Sequence, residues 1–141
     1  WGSAVDKKYF AKCKEEVETL GLQDVFSFHD ATEDILSVYR SADFFCLPSF
    51  YEGTPNALCE ALSCAIPCAA SRVSDNSFYC IEGQTGFLFD PSDPEDISMA
   101  LGRLLSLSGE EREAFGRKGR SVAEEKLGTG PFIDSYLSLI V

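Results

Sequence analysis

Short apolar runs at residues 25–28, 43–47, 67–70 and 87–89 are interleaved with stretches whose apolar residues recur at helical spacing. The run at 43–47 (DFFCL) shows no polar alternation after its first residue. That pattern suits a strand of a parallel sheet covered on both faces, and parallel neighbours need helical crossovers. The reading is therefore an α/β domain, a Rossmann-like parallel sheet with helices on both faces. In such sheets ligands bind outside the carboxyl ends of the strands. Whatever follows residue 47 thus lies where a ligand is expected.

The helices are placed by their spacing and their caps. Residues 8–20 carry Phe10, Cys13, Val17 and Leu20 at helical intervals, and Gly21 is a natural stop. Thr32 is suited to cap a helix over 33–40, with Glu33 and Asp34 in its first turn. A helix over 55–65 would take Thr54 as N-cap and Pro55 as first residue. Residues 71–77 read as a polar loop and 82–86 as a turn before the strand at 87–89. The segment 91–94 opens a helix running to about residue 105, and another spans 109–126. Gly128, Gly130 and Pro131 form a breaker before a last amphipathic helix with Phe132, Tyr136 and Leu139, within residues 131–141.

Charge and composition narrow the partners. The 141 residues carry a formal net charge of -11. Nucleic acid is bound by clustered Lys and Arg, so this balance argues against it. No window approaches the 18 or so apolar residues of a membrane span, and no transmembrane segment is expected. The chain also starts without a secretory pattern, which makes the cytoplasm the expected location. The six cysteines, at 13, 46, 59, 64, 68 and 80, form no C-x-x-C pair. They are expected to be reduced thiols packed as small hydrophobes rather than metal ligands.

The segment at residues 48–62, PSFYEGTPNALCEAL, sets Glu52 in a turn and Glu60 inside a helix. Amides at the start of a helix lack intrahelical partners and, with the helix dipole, favour phosphate. Glu60 lies about 7 Å along the axis from Pro55, at the standard helical rise. An ionised carboxylate only accepts hydrogen bonds, so its natural partner is a diol such as a ribose 2′/3′ pair. Glu52 lies before the helix and is placed to accept from hydroxyls attached beyond the phosphate. Gly53 permits close backbone approach. The residues alone leave a plainer alternative open, a loop charge at 52 and an exposed helix charge at 60.

Residues 43–62 (DFFCLPSFYEGTPNALCEAL) closely resemble the E-x7-E segment of glycosyltransferase family 4, whose members are retaining, metal-independent enzymes of the GT-B fold. The flanks LGLQDVFSFHD, EGQTGFLFDPSDPEDISMAL and EREAFGRKGR are similar to the family's neighbouring segments, so the resemblance runs from about residue 8 through most of the chain. It implies that Glu60 binds the nucleotide ribose and that Glu52 contacts donor-sugar hydroxyls as the catalytic residue of this domain. It implies that Gly53, Thr54, Pro55, Asn56, Ala57 and Leu58 line the sugar and diphosphate, Pro55 without an amide to give. It implies that Phe28, His29 and Asp30 lie near the nucleobase. A nucleotide diphosphate sugar, most often a UDP-sugar in this family, would be the substrate, with no cofactor and no metal.

The chain departs from the family's pattern in three places. Ala65 stands where a glycine usually precedes the proline after the motif helix, and His29 where a glycine usually follows the strand. The family's phosphate-binding Arg and Lys belong to segments upstream, and only Arg40 and Arg72 are cationic in the motif region. The expectation is a single, incomplete C-terminal donor-binding domain over residues 1–141. Its residues 1–7 would be a strand remnant or added sequence. Its partner would be an N-terminal acceptor domain of the same parent chain, onto which the last helix would pack and which would carry any contact with the cytoplasmic membrane face. This fragment alone would be inactive. The alternative reading is a non-catalytic nucleotide-sugar-binding or protein-interaction module of the same fold. Asp90, Asp93 and Asp96 read as turn and cap residues rather than a cation site.

Overall fold

In the computed structural model, which describes Gly2 and residues 5–139, the chain forms two units, Trp1–Ile35 and Leu36–Val141. In the first, the Asp6 carboxylate accepts from the amides of Lys8 and Tyr9 and caps α1 (Lys7–Thr19). Gly21, at φ +66°, ends the helix. Its amide donates to Glu18 O (3.1 Å) and that of Leu22 to Val17 O (2.9 Å), the paired bonds of a Schellman stop. Residues 25–28 are not a strand. The amides of Val25 and Phe26 both donate to Leu22 O, so they are committed to a turn and not available to a ladder. Phe28 meets Phe10 and Phe26 edge-to-face, with ring centroids 5.1 and 5.0 Å away.

The next helix is α2 (Ile35–Ser41), which lies in the second unit from Leu36 on and whose boundary departs from the expected 33–40. Thr32 Oγ1 accepts from the Asp34 amide at 3.1 Å, which makes a local turn and delays the helix until Ile35. Three strands follow, β1 (Phe45–Leu47), β2 (Cys68–Ser71) and β3 (Gly86–Phe89). They pair in parallel in the order β1-β2-β3, with Cys46 beside Ala69 and Ala69 beside Phe87. The crossover from β1 to β2 is α3 (Asn56–Ser63), and α4 (Asn76–Tyr79) lies between β2 and β3. Then come α5 (Pro94–Leu105), α6 (Gly109–Leu127) and α7 (Thr129–Leu137). The fold is the expected α/β class, with a parallel sheet and helices.

β2 and β3 are buried at every position. Ala69, Phe87 and Phe89 point to one face and pack with Ala100 and Leu104 of α5. Cys68 and Ala70 point the other way and are fully buried, and α3, which packs on β1 and β2, covers them with Leu58 and Leu62. Burying each of those leucines is worth about 1.5–3 kcal/mol. β1 is not fully buried as expected. It is the edge strand of the described sheet, and Cys46 on it is exposed.

The helix α3 is also held from outside by α6. A side chain on Gly116 would put its Cβ 2.1 Å from the Ala65 carbonyl oxygen, and one on Gly119 would meet Leu62 Cδ2 at 2.9 Å. Only glycine lets α6 come this close to the end of α3. The capping box of α6, Ser108 with Glu111, fixes where that helix begins.

The remaining sequence expectations divide. The short α4 falls inside the region read as loop. Gly128, Gly130 and Pro131 do not separate two distant helices: α7 starts at Thr129, one residue after Gly128. Ile133, Tyr136, Leu137 and Leu139 are exposed, and the side chain of Phe132 and residues 140–141 lie outside the described set. Cys59, Cys68 and Cys80 are buried free thiols, Cys13 and Cys64 are half-buried, and Cys46 is exposed. Burial pushes the Cys59 thiol up to about 11 and the Cys80 thiol up to about 12, so both stay protonated.

Candidate functional site

The loop between β1 and α3 leaves the carboxyl end of the sheet and carries Glu52, Gly53, Thr54 and Pro55, while Asn56, Ala57, Leu58 and Glu60 follow in α3. Pro55 is buried and occupies the N-cap position, at φ -79° and ψ 73°. Thr54 is therefore not the side-chain cap that the sequence suggests. Its carbonyl instead accepts from the Asn56 amide at 2.9 Å, and α3 begins one residue later than expected, at Asn56. The physical consequence is a first turn with no side chain satisfying it. Among the described residues the amides of Gly53, Thr54, Ala57 and Leu58 have no hydrogen-bond partner. Asn56 has spent its amide and Pro55 has none. A Cβ on Gly53 would meet nothing within 4 Å, so the turn faces open space.

Each of the two glutamates is steadied by one hydroxyl. Ser49 donates to Glu52 Oε1 at 2.6 Å, and the Glu52 amide donates to Ser74 Oγ at 3.3 Å. Ser74 itself stands at φ +46°, a left-handed conformation that a serine adopts only when its surroundings hold it there. Glu60, exposed on α3, accepts at Oε2 from the Tyr39 hydroxyl at 3.0 Å. Ala57, on the same face one turn earlier, offers its carbonyl to the same hydroxyl at 3.2 Å. The free oxygens are Glu52 Oε2 and Glu60 Oε1, neither of which has a partner among the described residues. The spacing of the glutamates was visible in the sequence. Ser49, Ser74 and Tyr39 were not singled out there, and only Ser49 lies close enough in sequence to have been found.

The rest of the carboxyl edge is shaped by Arg72. Its amide donates to Phe89 O at 2.7 Å and its Nη2 to Leu88 O at 3.1 Å, so the side chain lies across the ends of β2 and β3. A groove of about 360 Å³ opens there between Phe50, Arg72, Val73 and Asp90. A larger groove, about 440 Å³, lies at the amino ends of β1 and β2, around Asp43, Pro67 and Arg112. Position argues for the smaller one, because parallel sheets bind ligands at their carboxyl ends.

Asp90 accepts from the hydroxyl and amide of Ser92, which hold its carboxyl below the usual range, and Asp93 caps α5. These are turn and cap roles, and no cluster suited to a metal occurs among the described residues. Phe28, His29 and Asp30 belong to the first unit, where the His29 carbonyl accepts from the Gly2 amide at 3.1 Å. The second unit alone brings Glu52, the first turn of α3 and Glu60 together.

Unpaired amides at a helix start beside the carboxyl ends of a parallel sheet are the arrangement that suits an anion, and the flanking carboxylates suit hydroxyl groups. The sequence comparison makes this specific: residues 2–122 match the family described as "Glycosyl transferases group 1", and the chain belongs to that family. It is 35% identical over 117 residues to a sulfoquinovosyl transferase of Arabidopsis thaliana, covering 79% of this chain and 23% of that protein. Among solved structures it resembles sucrose-phosphate synthase from Thermosynechococcus elongatus, with TM-score 0.76 and 26% identity over 92% of this chain and 34% of the other. It also resembles Anabaena HepE in complex with UDP, with TM-score 0.85 and 17% identity over 97% of this chain and 39% of the other, a likeness of fold. The fold is that of the GT-B glycosyltransferases. The chain spans about a quarter of the length of the curated relatives it matches. No described helix is long and apolar enough to cross a membrane.

Proposed function

We propose that this chain is the C-terminal donor-binding domain of a retaining family 4 glycosyltransferase, which moves a hexose from a nucleotide diphosphate sugar to an acceptor. The observation that carries the reading is the first turn of α3, where four amides without partners lie between Glu52 and Glu60. Glu60 accepts from the ribose diol through its free Oε1. The amides of Gly53, Thr54, Ala57 and Leu58 meet the diphosphate and sugar. Glu52, its other oxygen held by Ser49, accepts from sugar hydroxyls and fixes the reacting carbon. As the glycosidic bond to the diphosphate breaks, negative charge grows on the leaving group. Fixed dipoles already aimed at it lower the barrier, a contribution of about 3–4 kcal/mol where single donors have been removed elsewhere.

A UDP-sugar is the proposed donor, supported by the fold's likeness to a protein solved with UDP. The donor is substrate rather than cofactor, and the chemistry is metal-independent in this reading. The domain carries a net charge of -11, so in this reading Arg and Lys from segments of the parent upstream of this chain complete the diphosphate site. The parent acts in the cytoplasm, and the isolated 141 residues turn nothing over.

Calorimetry on the full-length parent tests the division of labour. Glu60→Ala is expected to weaken UDP binding by about 1–3 kcal/mol through loss of a charge-assisted bond to the diol. Glu52→Gln is expected to spare UDP and lower turnover of the intact donor. Unchanged UDP affinity in Glu60→Ala, or equal loss of UDP binding in both variants, would contradict the assignment.

A further inference from the structure

Tyr39 is a core residue with a polar errand. It is 7% exposed, and its ring packs edge-to-face on Phe45 of β1 with centroids 5.9 Å apart. Only its hydroxyl reaches the surface of α3, where two acceptors wait: Glu60 Oε2 at 3.0 Å and Ala57 O at 3.2 Å. The phenol has one proton to give. The Ala57 carbonyl already sits within the helical ladder of α3, and a carboxylate is the stronger acceptor. The proton therefore serves Glu60. Burial, then the bond to Glu60, hold the phenol far above its ordinary range of ionisation, so it remains a donor at any working pH.

We infer that Tyr39 is a positioning residue for the nucleotide: its hydroxyl fixes the Glu60 carboxylate on α3 with Oε1 turned outward, ready for the ribose diol. The inference rests on the proposed role of Glu60 and adds the group that makes that role possible. An exposed glutamate on a helix samples several rotamers, and freezing one when a ligand arrives weakens binding. Here the ordering is done before the ligand arrives. The ring of Tyr39 is buried against Phe45 of β1, so the hydroxyl cannot follow Glu60 if the carboxylate swings away. Tyr39→Phe removes the hydroxyl and keeps the packed ring. The Ala57 carbonyl keeps its helical partner and Glu60 remains in water, so no buried polar group is stranded.

The test is a double-mutant cycle in the full-length parent, read by calorimetry with two probes, UDP and 2′,3′-dideoxy-UDP. Tyr39→Phe is expected to weaken UDP about threefold to tenfold, the scale of one side chain left to be ordered on binding. It should leave dideoxy-UDP unchanged and add nothing in a Glu60→Ala background. Equal weakening of both nucleotides would mean a packing role only and would overturn the inference. So would full additivity with Glu60→Ala, or an unaffected UDP affinity in Tyr39→Phe while Glu60→Ala binds more weakly. In that last case the ribose role of Glu60 survives. If Glu60→Ala itself binds UDP normally, the ribose role fails first and Tyr39 loses its object.

Discussion

Ala65 and Gly21 do the same work with different side chains. Each ends a helix in the left-handed region, at φ +59° and +66°. For Ala65 the paired bonds run from its own amide to Leu62 O (2.9 Å) and from Ile66 to Ala61 O (3.1 Å). The Cβ that glycine lacks costs about 1–2 kcal/mol in this conformation, partly offset by the greater unfolded-state freedom of glycine. Ala65→Gly is therefore expected to stabilise the chain by about 0.5–1 kcal/mol and to raise its melting temperature by a few degrees. A calorimetric scan showing a lower midpoint would mean that the Ala65 methyl makes a contact worth more than the strain. The sequence showed that an unusual residue stood at this turn, and the structure shows that the turn keeps its form regardless. Glu52 and Glu60 were legible by spacing alone. Their tethers were not, because Tyr39 and Ser74 reach them from other elements, across 21 and 22 positions of sequence.

At the scale of elements, periodicity found α3, α5 and α6 because each has a buried side and an exposed one. It failed where a backbone group had a local alternative. Residues 25–28 look like a strand, yet two of their amides turn back to Leu22 O. Thr54 looks like a cap, yet the Thr54 carbonyl takes the Asn56 amide and the helix begins later. β1 reads as buried because apolar runs do not reveal whether a strand lies at an edge. The seating of α3 was not legible either, since it depends on glycines in α6, 50 residues downstream in chain order. Gly116→Ala would drive a methyl into the Ala65 carbonyl oxygen, 2.1 Å from the ideal Cβ. Despite the better helix propensity of alanine, the overpacking is expected to cost about 1–3 kcal/mol. Because α6 braces the end of α3, the same variant in the full-length parent should also bind UDP more weakly. Denaturant unfolding and calorimetry read the two effects, and a variant as stable as the parent with unchanged UDP affinity would refute the bracing.

The whole molecule is an acidic domain asked, in the proposed reading, to hold a diphosphate. The two carboxylates contribute nothing to phosphate affinity and the helix start supplies only partial charge. In that reading full affinity needs cations from a longer parent chain; the chain spans about a quarter of the length of its curated relatives. The central claim is that the donor lies over the first turn of α3. Hydrogen–deuterium exchange on the full-length parent, with and without saturating UDP-sugar, tests it most directly. Amides without partners exchange quickly until a ligand oxygen takes them. Fast exchange is expected at Gly53, Thr54 and Ala57 in the free protein, with strong protection when the donor binds; Leu58, fully buried, is slow in both states. Donor-induced protection confined to other segments, with Gly53, Thr54 and Ala57 still exchanging freely, would contradict it.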